Sequence, residues 1–465
     1  MSPAEFRKAG HQVVDWLADY LSDPAKYPVL SRNRPGELID ALPPSGPDQG
    51  EDWERIFQDF QRHVIPAVTH WNHPGFMAYF ATTASPPGIL AEMLAAGLNT
   101  NGILWKSSPA VTELEQVALS WLRQWIGLSD EWFGVIHDTA STGVMHALAA
   151  ARQAVAPEVR ETGQSAPLTV YCSEHAHSSV EKAALAIGVG KPNVRKIPAD
   201  AEFRLCVDAL ARAIEEDLSA GKKPICIIPT VGTTAVASID PVRECAKLAR
   251  RYGLWLHVDA AYAGSAAVAP EYRWLLDGAE LADSLITNPH KWLFTPSDLS
   301  VLYTRRPEVL RAAFSLIPEY LRTAEDPRAL NYMEYGIPLG RRFRALKLWF
   351  ILRSYGHEKI AAMIREHISW AQELARQVEA DPHFDLAAPQ MLSLVCLRYK
   401  GTDQENQAIL DRVNAGGEFF LSHAQLNGRY AIRVAIGNMG TTRDHVQRLW
   451  QLIREAAPES QTPSR

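Results

Sequence analysis

No C-x-x-C pair occurs in the 465 residues, and the five cysteines, Cys172, Cys206, Cys226, Cys245 and Cys396, are odd in number and widely spread. This argues against a disulfide framework and a zinc ribbon and fits a reducing compartment, so a cytoplasmic protein is expected. Nowhere do 18 apolar residues run uninterrupted, and the N-terminus lacks the charged-then-apolar layout of a secretory signal. Neither a membrane span nor a targeting segment is therefore expected. An excess of positive charge is missing too. The 47 Lys and Arg stand against 53 Asp and Glu, a formal net charge of −6, which offers nucleic acid or anionic lipid no attracting field. The nucleotide fingerprints G-x-x-x-x-G-K-[ST] and G-x-G-x-x-G are also absent. What remains is a chain with 47% apolar and 22% charged residues, ordinary for a folded protein whose partner is a small molecule.

The organisation is that of an α/β protein in three parts. Residues 1–85 read as an N-terminal arm of amphipathic helices, with Phe6, Val13, Trp16, Leu17, Tyr20 and Leu21 at helical spacing. Its helices are joined by the breaker-dense "RNRPGELIDALPPSGPDQG" (32–50). An arm with so little core of its own is expected to pack on another part of the fold or on a second subunit. Over 86–345, the runs "GVIHD" (134–138), "LTVYCSE" (168–174), "PICIIPTVG" (224–232), "LWLHVDAAY" (254–262) and "ADSLITN" (282–288) alternate with helical patterns. Apolar runs of this kind predict a large domain built on a mostly parallel sheet covered on both faces. Residues 346–465 read as a smaller C-terminal α/β domain, with strand-like "LSLVCLRYK" and "YAIRVAIGNMGTT" separated by helix.

In such sheets ligands collect at the carboxyl ends of the strands, and the polar residues lie there: Asp138 to Ser141, His175 and His177, Thr230 to Thr234, Asp259, and Asn288 to Lys291. Lys291 in "ITNPHKWLF" is a nucleophilic amine, a phosphate-binding cation or a lysine whose head reaches water. Asp259 pairs with a protonated ring nitrogen or caps the turn that follows it. "HDTASTG" (137–143) makes a phosphate cup at a helix N-terminus or holds an ordinary cap at Ser141 or Thr139. His175 and His177 have no further His or Cys at ligand spacing, so no metal is expected, whereas a flat imidazole can stack on a cofactor. Each feature alone is ambiguous. Together, an amine for a Schiff base, a carboxylate for a pyridinium nitrogen, a phosphate cup and a stacking ring make up a pyridoxal 5'-phosphate site.

The chain resembles the group II pyridoxal-phosphate decarboxylases, most closely the aromatic L-amino-acid decarboxylases. The resemblance is carried by "HPGFMAYF" (73–80), "WKSSPAVTELE" (105–115), "AHSSVEKA" (176–183), "LHVDAAYAGSA" (256–266), "NPHKW" (288–292) and "PLGRRFRALKLW" (338–349). It implies the type I aminotransferase-like fold and a homodimer with active sites at the subunit interface. It makes Lys291 the Schiff-base lysine and Asp259 the pyridinium partner. Ala140, Ser141 and Asn288 fall on the phosphate side, and Thr234 and Ala261 against the cofactor. His177 stacks on the ring, and His290 supports the lysine. Thr82, with Trp71, Tyr79 and Phe80, lines the substrate pocket. Tyr320, in "SLIPEYLRTAEDP" (315–327), matches the loop tyrosine that protonates the carbanion once carbon dioxide has left. Relatives that release an aromatic aldehyde carry phenylalanine there, and some replace the stacking histidine with asparagine.

The pocket departs from the animal relatives at Asn101 and Ile103, one more polar and one smaller, so a wider pocket or an extra hydrogen bond is expected. Gly340 leaves room for an indole ring. Arg341 and Arg342 make an anion site or, as expected of Arg at the start of a helix, pair with carboxylates. The expected reaction is decarboxylation of an aromatic L-amino acid (tryptophan, 5-hydroxytryptophan, phenylalanine, tyrosine or dopa) to the arylalkylamine. The alternatives are an oxygen-dependent aromatic aldehyde synthase of the same family and a non-catalytic pyridoxal-phosphate-binding regulator.

Overall fold

The computed structural model describes residues 1–163, 166–316 and 329–458, which form two compact units. One comprises residues 82–375 and 388–396, the other residues 1–81, 376–387 and 397 onward. No helix among the described residues is long and apolar enough to cross a membrane.

The larger unit is built on seven strands: β1 Phe133–His137, β2 Leu168–Ser173, β3 Val194–Ile197, β4 Lys223–Ile228, β5 Trp255–Asp259, β6 Ser284–Thr287 and β7 Ser300–Thr304. Their order is β1-β7-β6-β5-β4-β2-β3. The block from β3 to β6 is parallel, and β7 runs antiparallel to both β6 and β1. Six strands thus share one direction, and His137, Ser173, Ile228, Asp259 and Thr287 end on one edge of the sheet. Strands β2, β5, β6 and β7 are buried along their whole length, which is why the first three read as continuous apolar runs rather than alternating ones. Two strands escape the sequence reading for physical reasons. The edge strand β3, "VRKI", is half exposed and too short for a pattern. The antiparallel β7 needs no crossover helix, so no helical segment announces it.

Helices Ala140–Val155, Ser178–Ala186, Val207–Ser219 and Val242–Tyr252 connect the strands. The first has Ala147, Leu148, Ala150 and Ala151 almost wholly buried, and these small residues let it lie close on the sheet. Gly143 sets the closest approach: a Cβ there would sit 2.1 Å from Ile286 Cδ1 on β6.

The other unit holds strands β8 Phe384–Leu386, β9 Leu394–Tyr399, β10 Ser422–Leu426 and β11 Arg429–Ala435, in the order β10-β11-β9-β8, with β9 beginning in the larger unit. Asn427 (φ 51°) and Gly428 (φ 74°) close the β10–β11 hairpin, the pair of left-handed residues that a two-residue turn demands. Helices Asp403–Ala415 and Arg443–Ala456 each begin with a capping box, Thr402 with Glu405 and Thr442 with His445. The N-terminal arm is tied into this unit through the segment around Phe76. Met77 N donates to Phe420 O at 3.0 Å, and Ala435 N donates to Met77 O at 2.9 Å.

Candidate active site

Lys291 lies on the single turn Pro289–Trp292 that follows β6. A run of hydrogen bonds fixes this turn to the next strand end. Asp259 Oδ1 accepts from Ala261 N at 3.1 Å, Ala261 O accepts from Asn288 N at 3.1 Å, and Asn288 O accepts from Lys291 N at 2.9 Å. Asn288 Oδ1 also accepts from Ser300 Oγ at 2.5 Å, which ties the turn to β7. Four of the residues singled out in the sequence, Asp259, Ala261, Asn288 and Lys291, are thus joined by backbone geometry across 32 positions.

The flanking residues brace the same turn. His290 is buried, and its Nδ1 accepts from Leu299 N at 3.0 Å. Burial first, then the neighbouring Lys291 cation, push its imidazole down to about 4, so the ring is neutral. Trp292 turns the other way. It stacks on Tyr262 with ring centroids 4.7 Å apart and planes 8° from parallel, and its indole N–H donates to His367 Nδ1 at 2.9 Å.

His177 caps the helix Ser178–Ala186, its Nδ1 accepting from Ser179 N at 3.2 Å. With Nδ1 used as an acceptor, the neutral ring carries its proton on Nε2. Burial is the main cause of its lowered pKa. The charge of Lys291 lowers it further, and Asp259 opposes both. Lys291 and Asp259 thus both act on this imidazole, and β2, β5 and β6, which carry or precede the three residues, end on one edge of the sheet. Of the two candidate caps on the next helix, the structure uses Thr139, whose Oγ1 accepts from Thr142 N at 3.5 Å, while Asp138 accepts from Thr139 N at 2.6 Å. Ala140 and Ser141 therefore occupy the first helical turn, where backbone N–H groups have no partner within the helix. Thr234 sits in a tight turn closed by Gly232 N and Thr233 N donating to Ser238 O at 3.0 and 3.1 Å.

The expected substrate residues fall in both units. In the larger one, Asn101 and Gly340 are neighbours. Asn101 Oδ1 accepts from Arg341 N at 3.0 Å, and a Cβ on Gly340 would meet Asn101 Nδ2 at 3.5 Å. Thr82 and Ile103 of this unit are half-buried. In the other unit, Trp71 and Tyr79 lie with centroids 6.1 Å apart, and the guanidinium of Arg433 covers Phe80, 4.6 Å from its ring centre. Tyr320 lies outside the described residues. Arg341 pairs with the buried Glu115 at 2.7 Å and donates to Ile136 O at 2.8 Å, while Arg342 reaches Glu92 at 3.1 Å.

Sequence reasoning passed over Asp240. Its carboxylate accepts from Thr230 N and Leu205 N, each at 2.8 Å, and burial pushes it up to about 7. Thr230 in turn pairs with Asp259, and Val231 N donates to Asp259 O at 2.8 Å, so Asp240 braces the strand end that carries the site carboxylate. An aspartate ten residues beyond Thr230 in a loop has no periodicity to mark it.

Residues 35–400 match the pyridoxal-dependent decarboxylase conserved domain. The chain belongs to the pyridoxal-dependent decarboxylase family. It is 40% identical over 476 residues to phenylacetaldehyde synthase of Arabidopsis thaliana, covering 98% of this chain and 96% of the relative. It is equally 40% identical over 474 residues to aromatic-L-amino-acid decarboxylase of Cavia porcellus, covering 98% of each. The solved structure of Catharanthus roseus tryptophan decarboxylase in complex with L-tryptophan superposes with a TM-score of 0.93 at 36% identity, covering 98% of both chains. The type I aminotransferase-like α/β fold expected from the sequence is the fold of this decarboxylase, and its cofactor is pyridoxal 5'-phosphate.

The residues present fit that cofactor. The site offers an amine, a buried carboxylate, a neutral imidazole and a helix start built from small residues. Thr230 Oγ1, buried beside Asp259, has no hydrogen-bond partner among the described residues.

Proposed function

We propose that this decarboxylase removes the carboxylate of an aromatic L-amino acid, giving the arylalkylamine and carbon dioxide. The observation that carries the reading is the convergence of Lys291, Asp259 and His177 at one strand-end edge, with Asn101 and Gly340 adjoining each other in the same unit. Bound there, pyridoxal 5'-phosphate supplies an electron sink for the bond broken at the substrate α-carbon.

The chain's own groups do the rest. Lys291 Nζ is the point of attachment. Asp259, held by the Ala261 N–H, keeps a proton on the ring nitrogen. His177 offers a neutral flat face, so no second cation competes for the electrons. Ala140, Ser141 and Asn288 take the phosphate, with Thr234 and Ala261 beside the cofactor, and His290 braces the lysine turn. Thr82, Trp71, Tyr79, Phe80, Asn101, Ile103 and Gly340 take the substrate. Tyr320 delivers the proton to the α-carbon after carbon dioxide leaves, and its presence together with His177 favours amine over aldehyde.

The active form is a homodimer. Leu90, Met93, Leu94 and Leu98 lie on one face of the helix Pro86–Leu98 and are 42% to 60% exposed, an apolar stripe suited to a second copy. Five unbridged cysteines suit the cytoplasm.

The test is product analysis on a panel of aromatic amino acids with an oxygen electrode. Amine and carbon dioxide in equal amounts without oxygen uptake is the expected result; stoichiometric peroxide, ammonia and aldehyde would replace this reading with the aldehyde synthase. Lys291→Ala abolishes both the visible cofactor absorbance and turnover, and full turnover without that absorbance would refute the role of the lysine. A wild-type protein that binds the cofactor but converts no amino acid would be the regulator instead.

A further inference from the structure

A second pair of histidines lies next to the site and takes no part in the chemistry above. His137 ends β1 and His146 lies two turns into the helix Ala140–Val155; they are 6% and 0% exposed. His146 Nδ1 is 3.3 Å from His137 Nε2, and Ile337 N donates to His146 Nε2 at 3.1 Å. Phe314 closes the His146 ring edge-on at 4.7 Å, and Gly336 passes so close that a Cβ would sit 3.0 Å from His146 Cε1.

The proton positions follow from this geometry. Ile337 N–H is a donor, so His146 Nε2 must be the acceptor. A neutral His146 then carries its proton on Nδ1 and donates it to His137 Nε2. Burial is the main cost of adding a proton to either ring, and Arg341 adds to it at both. The neutral relay is the form the site holds.

Ile337 belongs to the same short segment as Gly340. That segment is anchored at its far end by Arg341, through Asn101, Glu115 and Ile136 O. Its near end is anchored by His146. A cavity of about 140 Å³ is lined by Asp138 and Thr142 from the phosphate-binding turn and by Gly336, Gly340 and Arg341 from this segment. The two therefore border one space.

We propose that His146 is a positioning residue for substrate selection: by accepting the Ile337 N–H it fixes the wall that contains Gly340 against the helix that starts the phosphate-binding turn. This rests on the aromatic-amino-acid reading above. Without the bond the wall keeps the Arg341 anchor but loses the one at Ile337, and a pocket that distinguishes indole from phenol by available space loses its fixed edge.

Three variants separate the two bonds. His146→Leu removes both. His146→Asn keeps a donor near the Nδ1 position, toward His137, but loses the acceptor for Ile337. His146→Gln keeps an acceptor near the Nε2 position. The first reading is hydrogen exchange by mass spectrometry on the cofactor-loaded enzyme without substrate. Leu and Asn speed exchange across 336–341 by about fivefold, the equivalent of one ordinary hydrogen bond, and Gln does not. The second reading is steady-state kinetics with tryptophan and tyrosine. Leu and Asn raise KM and shift the ratio of the two kcat/KM values by about fivefold while kcat changes little, and Gln restores the wild-type ratio. If Gln behaves like Leu, or if Asn matches wild type, the Ile337 bond does not set the wall and the proposal falls. Should the wild type accept neither amino acid, the substrate reading has failed, and the exchange result alone decides the role of His146.

Discussion

At the scale of single residues, the candidate site is built from groups whose orientation is set by backbone donors. Asp259 is held by Ala261 N, His290 by Leu299 N and His177 by Ser179 N. Such bonds hold the side chains without a second charge to compete with the cofactor. The carbonyl oxygen of Asn101 accepts from Arg341 N, so this half of the amide shapes the Gly340 wall. That contact makes Gly340→Ser an informative substitution. A Cβ there meets Asn101 Nδ2 at 3.5 Å, an ordinary van der Waals distance, so the variant folds with stability within about 0.5 kcal/mol of the parent. The added side chain takes space from the larger ring, and kcat/KM for tryptophan falls about tenfold relative to tyrosine. An unchanged ratio in competition kinetics would place the specificity wall elsewhere.

At the scale of elements, the contact between the helix Ala140–Val155 and β6 sets how the start of that helix lies relative to the Lys291 turn. Gly143 is where the two touch, 2.1 Å from Ile286 Cδ1 for a hypothetical Cβ. Ile286 lies five residues before Lys291, so anything that lifts the helix start moves it away from the lysine. Gly143→Ala is expected to cost about 1–3 kcal/mol of stability through overpacking. It also weakens cofactor retention, read as a raised dissociation constant by absorbance titration of the apoenzyme. Destabilisation with unaltered cofactor affinity would mean that the helix start adjusts independently of its packed middle.

This element also marks where the sequence was readable. Strands β2, β4, β5 and β6 were legible because burial on both faces makes them apolar runs, and the placement of Asp259 and Lys291 at buried strand ends could be read with them. Nothing in "HDTASTG" chose between Thr139 and Ser141 as cap, since the choice turns on backbone angles. The pairing of His137 with His146, and of Asp240 with the β4 end, depended on how strands and helix stack. Tyr320 was readable in sequence only, because it lies outside the described residues.

At the scale of the whole molecule, buried titratable groups set a pH dependence of stability whose sign can be worked out. Burial depresses His73, His146, His257 and His290 from 6.5 to about 4, and it holds His137 well below 6.5 too. Unfolded, these five bind protons as the pH falls through 6.5; folded, the first four stay neutral until about 4, and His137 likewise resists the proton. In that window the unfolded chain holds more protons, so stability falls as the pH falls, by about 1.4 kcal/mol per pH unit for each unmatched proton. Asp240 works the other way. Its folded carboxyl keeps a proton up to about 7 against 3.8 unfolded, so between those values the folded state holds one proton more and gains stability on acidification. Burial lowers His70, His177 and His445 as well, and it raises Asp283 alongside Asp240, so among the described residues eight groups against two settle the direction. The urea midpoint of the cofactor-free protein is expected to hold nearly steady from pH 8 to 7 and to drop steeply between 6.5 and 4.5. Replacing Asp240 with asparagine removes one opposing group and steepens the drop, provided the amide still accepts from Thr230 N and Leu205 N. A midpoint that stays level down to pH 5 would show that these imidazoles take up protons inside the fold, and the neutral relay between His137 and His146 would fall with it.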